Sequence, residues 1–123
     1  MTRKRIDEHS TEFGLWLRDQ PEIDSSIGYI ATNIDYMWRN YKTGQWMLIE
    51  EKRHNAHVKP WQRQMFDILN WCGKKHPRFY GFHTIVFENT CPEDGKIFLD
   101  GKLVSKEQLI KFLKFEIDSI FHK

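Results

Sequence analysis

With 123 residues, 40% of them hydrophobic and 15% aromatic, the chain can bury one core but is too short for two, so a single domain spanning 1–123 is expected. No apolar run approaches the length of a membrane span, and the basic start MTRKR leads into polar residues instead of an apolar signal segment, so a cytoplasmic setting is expected. The net charge of +2 neither requires nor excludes a polyanionic partner, and Cys72 and Cys91 stand in no metal-binding or disulfide-framework spacing.

The first element is read from STEFGLWLRDQPEID. Phe13, Trp16 and Leu17 fall at helical spacing, Ser10 is a candidate N-cap and Pro21 closes the segment, which predicts a short amphipathic helix. Glu12 in its first turn favours the helix start through the dipole.

The stretch NIDYMWRNYKTGQWMLIEEKR then predicts a β-hairpin. Residues 34–38 and 45–51 are rich in aromatic and branched side chains, and NYKTG supplies turn residues ending in glycine. A turn centred between Lys42 and Thr43 pairs positions whose numbers sum to 85, placing Asp35 opposite Glu50, Met37 opposite Leu48 and Arg39 opposite Trp46. Opposed residues share a face, and the period of two brings Lys52 to the face of Glu50. A one-residue slip would instead put Glu51 and Arg53 beside Asp35, and the second arm, apolar on both faces, does not by itself choose between the two.

Two opposed carboxylates repel, by about 0.2–1 kcal/mol when solvated and by more in apolar surroundings. Lys52, a shared proton or a metal cation would relieve that repulsion. Mg²⁺ binds through one or two carboxylates and keeps several waters, so it suits such a pair, and a lysine beside it can hold the attacking water. Lysine can be tuned as a base and arginine cannot, which favours the register with Glu50 and Lys52.

Downstream, KPWQRQMFDILNWCGKK opens with Pro60 in a first-turn position and carries Trp61, Met65, Ile68, Leu69 and Cys72 as an apolar stripe, predicting a helix. RFYGFHTIVFEN (78–89) reads as a third strand, and KIFLDGKLV as a small hairpin turning at Asp100-Gly101. SKEQLIKFLKFEIDSIF reads as a terminal helix with Ser105 and Gln108 in a capping box and apolar residues at 109, 110, 112, 113, 117 and 120.

An aspartate, a spacer of fourteen residues and then Glu50-Glu51-Lys52 resembles the PD-(D/E)XK nuclease superfamily, although Ile34 stands where many members have proline. The resemblance spans roughly residues 10–90 and implies an α/β, restriction-endonuclease-like three-layer core, a mixed β-sheet flanked by helices. The C-terminal hairpin and helix lie outside it. It implies that Asp35 and Glu50 bind Mg²⁺, with Mn²⁺ as substitute and the Glu51 carbonyl as a further ligand. Lys52 would act on the attacking water, and Glu12 and Gln62 (or Gln64) would support the site. The function implied is metal-dependent hydrolysis of phosphodiester bonds in nucleic acid, with DNA expected. With no separate specificity domain, the chain is most similar to small phage or prokaryotic resolvases and repair-type nucleases. A homodimer would enlarge the surface offered to a duplex.

Charge is unevenly distributed. Between Lys52 and Arg78 seven basic residues (Lys52, Arg53, Lys59, Arg63, Lys74, Lys75, Arg78) face one acid, Asp67, a local +6 that leaves −4 for the rest. This segment begins at the proposed catalytic lysine and is expected to line the approach to the site, since attraction to phosphates dominates affinity for DNA. His54 and His57 extend that basic surface. Their spacing within a loop, with no third ligand nearby, disfavours zinc. The competing reading is a non-catalytic nucleic-acid-binding or assembly module in which the acids only form a salt bridge with Lys52.

Overall fold

The turn between the two arms of the hairpin is built by Asn40 and Gly44. In the computed structural model, which describes residues 12–116, Asn40 Oδ1 accepts the backbone N–H groups of Lys42 and Thr43 at 2.9 and 3.3 Å. Gly44 takes φ +84°, a left-handed conformation open to a residue without Cβ. Strands β1 (Tyr36–Arg39) and β2 (Trp46–Lys52) leave this turn antiparallel, pairing Tyr36 with Ile49, Met37 with Leu48, Trp38 with Met47 and Arg39 with Trp46. Every pair sums to 85, as the turn chemistry predicts, and the slipped register is excluded.

After β2, His54 and Asn55 both adopt left-handed φ values of +56° and +57°. Their N–H groups donate to the Asn89 and Phe87 carbonyls at 2.9 and 3.0 Å, turning the chain away from the sheet. Helix α2 (Pro60–Gly73) starts on a proline that has no intrahelical N–H to lose there, and returns the chain so that β3 (Phe79–Phe87) runs parallel to β2. Strands β4 (Ile97–Leu99) and β5 (Lys102–Val104) add antiparallel, joined by Asp100 and Gly101 at φ +50° and +84°, the conformation an Asp-Gly hairpin turn requires. The result is a mixed α/β architecture with a five-stranded mixed sheet in the order of the chain.

Alternation along the strands gives the sheet two different faces. Met47, Ile49, Ile85, Phe87, Ile97, Leu99 and Val104 point to one side, where Leu109 and Phe112 of helix α3 (Lys106–Leu113) complete the core. Ser105 caps α3 as predicted: its Oγ accepts Gln108 N–H at 3.1 Å while Gln108 Oε1 accepts Ser105 N–H at 2.8 Å. On the opposite face α2 rests on β3 through Phe66, 1% exposed and stacked on Phe82 with ring centroids 4.3 Å apart. Asn70 Oδ1 accepts Phe82 N–H at 3.0 Å, and a Cβ at Gly73 would run into the Phe79 ring. The buried stripe of α2 is therefore centred on Phe66. Ile68 and Cys72, expected on it, are exposed. This helix carries large apolar residues around much of its circumference, so periodicity alone does not select the face that packs.

The terminal helix is shorter than its pattern predicts. Phe115 adopts φ +65°, and Phe115 and Glu116 N–H donate to the Phe112 and Lys111 carbonyls, both at 2.9 Å, a Schellman-type stop without glycine. Burial of the Phe115 ring beside Tyr80, 5.3 Å between centroids, offsets the left-handed conformation's cost of about 1–2 kcal/mol. Ile117 and Ile120 lie outside the described residues. The chain divides into two compact units, one ending at Asn33 and the other beginning at Ile34. The first holds helix α1 (Glu12–Arg18) and two single 3-10 turns, Pro21–Ile23 and Ser25–Ile27. In α1 the buried residue is Leu15, while Phe13 and Trp16 are exposed and stack on each other at 6.0 Å. The N-cap expected at Ser10 lies outside the described residues.

Candidate active site

The register that pairs Met37 with Leu48 sets Asp35 across from Glu50 at the end of the hairpin away from its turn. Asp35 Oδ2 accepts the Glu51 backbone N–H at 2.7 Å, which continues the pairing one step beyond the regular ladder. Glu50 Oε2 is 3.4 Å from Lys52 Nζ, two residues along the same face. Lys52 Nζ in turn donates to Gln62 Oε1 at 3.4 Å, and Gln62 Oε1 also accepts Lys59 N–H at 3.2 Å at the start of α2. Asp35, Glu50, Lys52 and Gln62 thus form one connected group, and it is Gln62, not Gln64, that reaches Lys52.

Glu50 is the unusual member. It is only 5% exposed, in the strand that lies between β1 and β3, and its Oε1 is buried without a hydrogen-bond partner. Burial first, and then the Asp35 carboxylate, push its carboxyl up to about 7 against the opposing pull of Lys52. A single lysine therefore does not compensate both acids. Asp35 is exposed, so the pair opens to solvent on one side.

Glu51 points to the other face. Its carboxylate accepts from Tyr36 Oη at 3.3 Å and Arg53 Nε at 3.0 Å, and its charge is the leading reason that the Tyr36 hydroxyl is raised above its ordinary value. Only the backbone of Glu51 contributes to the side where Asp35 and Glu50 meet. Arg53, His54, His57, Lys59 and Arg63 are all exposed along the turn after β2 and the first turn of α2. Glu12 heads α1 in the first unit. Among the described residues no three His, Cys, Asp or Glu side chains gather around one point.

The basic segment does not all line this approach. Fourteen residues of α2, about 21 Å of helix, carry Lys74, Lys75 and Arg78 to the opposite end of the sheet. One polar pair has no signature in the sequence. His83 Nδ1 lies 2.6 Å from Asp100 Oδ2 and His83 Nε2 2.6 Å from the Tyr80 carbonyl, while Asp100 Oδ1 accepts Thr84 N–H at 2.9 Å. Asp100 carried only a turn signal in the sequence, and the pairing needs β3 and β4 to be adjacent before it exists.

No known family model, curated protein or solved structure matches the chain.

Proposed function

We propose that the protein is a metal-dependent phosphodiesterase acting on nucleic acid, with DNA the expected substrate, and that the second unit is a restriction-endonuclease-like core. The observation that carries this reading is the buried, unpartnered Oε1 of Glu50 beside a second carboxylate. A buried acceptor without a partner costs about 1–3 kcal/mol, more when charged, and the neighbouring acid adds repulsion. A divalent cation held by Asp35 and Glu50, with the Glu51 carbonyl as the resemblance implies, relieves both. Oxygen ligands of this kind fit Mg²⁺ or Mn²⁺.

When bound, such an ion supplies a Lewis acid for the phosphate and a more acidic water. The chain's own residues do the rest. Lys52 Nζ, held by Gln62 and Glu50, positions the attacking water and stabilises negative charge on the phosphoryl oxygens. Water adds to phosphorus, the ester P–O bond breaks, and the leaving oxygen takes up a proton. Exposed Asp35 keeps the site open to the strand, and Arg53, His54, His57, Lys59 and Arg63 supply phosphate contacts around it. Glu12 is assigned an auxiliary role on the resemblance alone.

The 3.4 Å contact between Lys52 and Glu50 favours the second reading, a non-catalytic binding module with an internal ion pair. Divalent ions separate the two. Under the nuclease reading Mg²⁺ or Mn²⁺ raises the melting temperature of the wild type and not of Asp35→Asn, whereas a plain ion pair gives no response in either. The deciding experiment screens duplex, single-stranded and branched DNA and RNA for cleavage with these ions. Asp35→Asn and Lys52→Ala are expected to abolish cleavage while remaining folded. Equal cleavage by wild type and Asp35→Asn would overturn the assignment.

A further inference from the structure

The end of the sheet remote from Glu50 carries a second concentration of positive charge, with exposed aromatic rings among it. Two segments build it. Residues 39–46 contribute Arg39, Tyr41 and Lys42 from the hairpin turn, and residues 68–79 contribute Trp71, Lys74, Lys75 and Arg78 from the end of α2 and the loop after it; neither segment contains Asp or Glu. They are joined at Trp46, whose N–H donates to the Arg78 carbonyl at 3.0 Å and whose ring Nε1–H donates to His76 Nδ1 at 3.1 Å. Arg39 pairs across from Trp46, and Trp46 pairs with Phe79, so both segments lie at the same end of the sheet.

The aromatic rings here are not core residues. Tyr41 is 78% exposed and Trp71 64% exposed, and Lys75 Nζ sits 4.6 Å over the Trp71 ring. That contact covers one side of the indole with an ammonium able to meet a phosphate and leaves the ring otherwise open to solvent. Cations that track a phosphate backbone, interleaved with rings on which bases stack, are the recognition chemistry of unpaired nucleic acid, because a duplex offers its phosphates but not its base faces.

We propose that this end of the sheet, through Arg39, Lys42, Trp71, Lys75 and Arg78, is a second nucleic-acid contact that takes an unpaired strand, with its phosphates on the cations and a base on Trp71. The proposal builds on the nucleic-acid reading of the acidic site and adds to it the kind of substrate: one with a single-stranded portion. The length of α2, about 21 Å, sets the scale of separation between this patch and the acidic pair, a span of several nucleotides.

The test is binding without chemistry. A fluorescently labelled 20-nucleotide oligo-dT is titrated in EDTA, so that neither a metal ion nor cleavage is needed. Trp71→Ala is expected to weaken binding roughly tenfold and Trp71→Phe to restore most of it, as stacking requires. Lys75→Gln and Arg78→Gln should each lower the slope of log affinity against log salt by about 0.7. Lys111→Gln, which removes the same charge from α3 on the other face, should change nothing. All of these side chains are exposed, and a melting curve checks that each variant folds. No binding by the wild type, unchanged affinity in Trp71→Ala, or an equal loss in Lys111→Gln would each overturn the proposal. Polyglutamate binding as tightly as oligo-dT, indifferent to Trp71, would overturn it as well and reduce the patch to a general anion surface. Binding that depends on Trp71 in a protein that cleaves nothing with Mg²⁺ or Mn²⁺ would keep this proposal and refute the nuclease assignment.

Discussion

Glu50 and His83 lie one step apart on neighbouring strands, on opposite faces of the sheet, and they are treated in opposite ways. His83, in the row with Ile49, has both ring nitrogens engaged, by Asp100 and by the Tyr80 carbonyl, and it packs edge-on against Phe112 at 4.8 Å between centroids. Burial alone would lower its pKa, but the Asp100 carboxylate and the Tyr80 carbonyl raise it above its usual value. Glu50, in the row with Thr84, keeps one lysine, one acidic neighbour and one oxygen with nothing to bond. A buried polar group whose partners are all supplied by the fold is explained by the fold. One whose partners are missing points to something outside the chain, and this contrast is why the candidate site is placed at Glu50 and not at His83.

The largest stability effect that would sharpen the contrast is at Glu50. A carboxyl pushed up to about 7 from its usual 4.5 means that the folded state binds more protons than the unfolded one between those values. Stability of the metal-free protein therefore falls as pH rises from about 4.5 to about 7 and levels off above. At about 1.4 kcal/mol per pH unit the loss amounts to at most about 3.5 kcal/mol. Glu50→Gln should flatten this dependence and be the more stable protein at pH 8, less whatever the Lys52 contact contributes. Denaturant unfolding at pH 4.5, 6 and 8 measures it, and a wild type equally stable throughout would remove the strained acid from the contrast.

A smaller effect of the opposite sign is expected at the satisfied pair. Asp100→Asn keeps a residue tolerant of the left-handed turn but takes the charge from His83. It should cost roughly 1–2 kcal/mol, towards the lower end because a third of the Asp100 side chain meets water. Because the histidine's folded pKa is raised, its contribution is complete below about 6.5, the unfolded value, and is lost as pH rises through the folded value. The variant's deficit should accordingly be greater at pH 6 than at pH 9. A deficit that grew with pH would show that the pair is not held by charge.

The smallest effect belongs to Asp35. Asp35→Asn removes the acidic neighbour that adds to Glu50's strain while keeping an oxygen for the Glu51 N–H, so the metal-free protein should gain about 0.2–1 kcal/mol. A clear loss of stability would mean that the charge on Asp35 supports the fold and does not oppose it.

The local elements were legible in the sequence because they rest on short-range chemistry. The choice between Glu50 with Lys52 and the slipped Glu51 with Arg53 beside Asp35 was closed only by the observed strand pairing, whereas the turn itself is specified by Asn40 and Gly44. Ser105 with Gln108, and Asp100 with Gly101, were legible for the same reason. What depends on a partner surface took shape only in the fold. α2 carries apolar residues on several sides, so only the presence of Phe82 selected Phe66 for burial and left Ile68 and Trp71 in solvent. α3 stops at Leu113 because Phe115 packs beside Tyr80, a contact that joins residues thirty-five positions apart and has no signature in a helical pattern. The basic segment, continuous in sequence, is spread along α2 by the helix itself, with Lys59 and Arg63 at the acidic end and Lys74, Lys75 and Arg78 at the other. The burial of Glu50 was not legible either, since a glutamate near the end of a strand is ordinarily solvated, and its withdrawal from water exists only once β2 lies inside the sheet between β1 and β3.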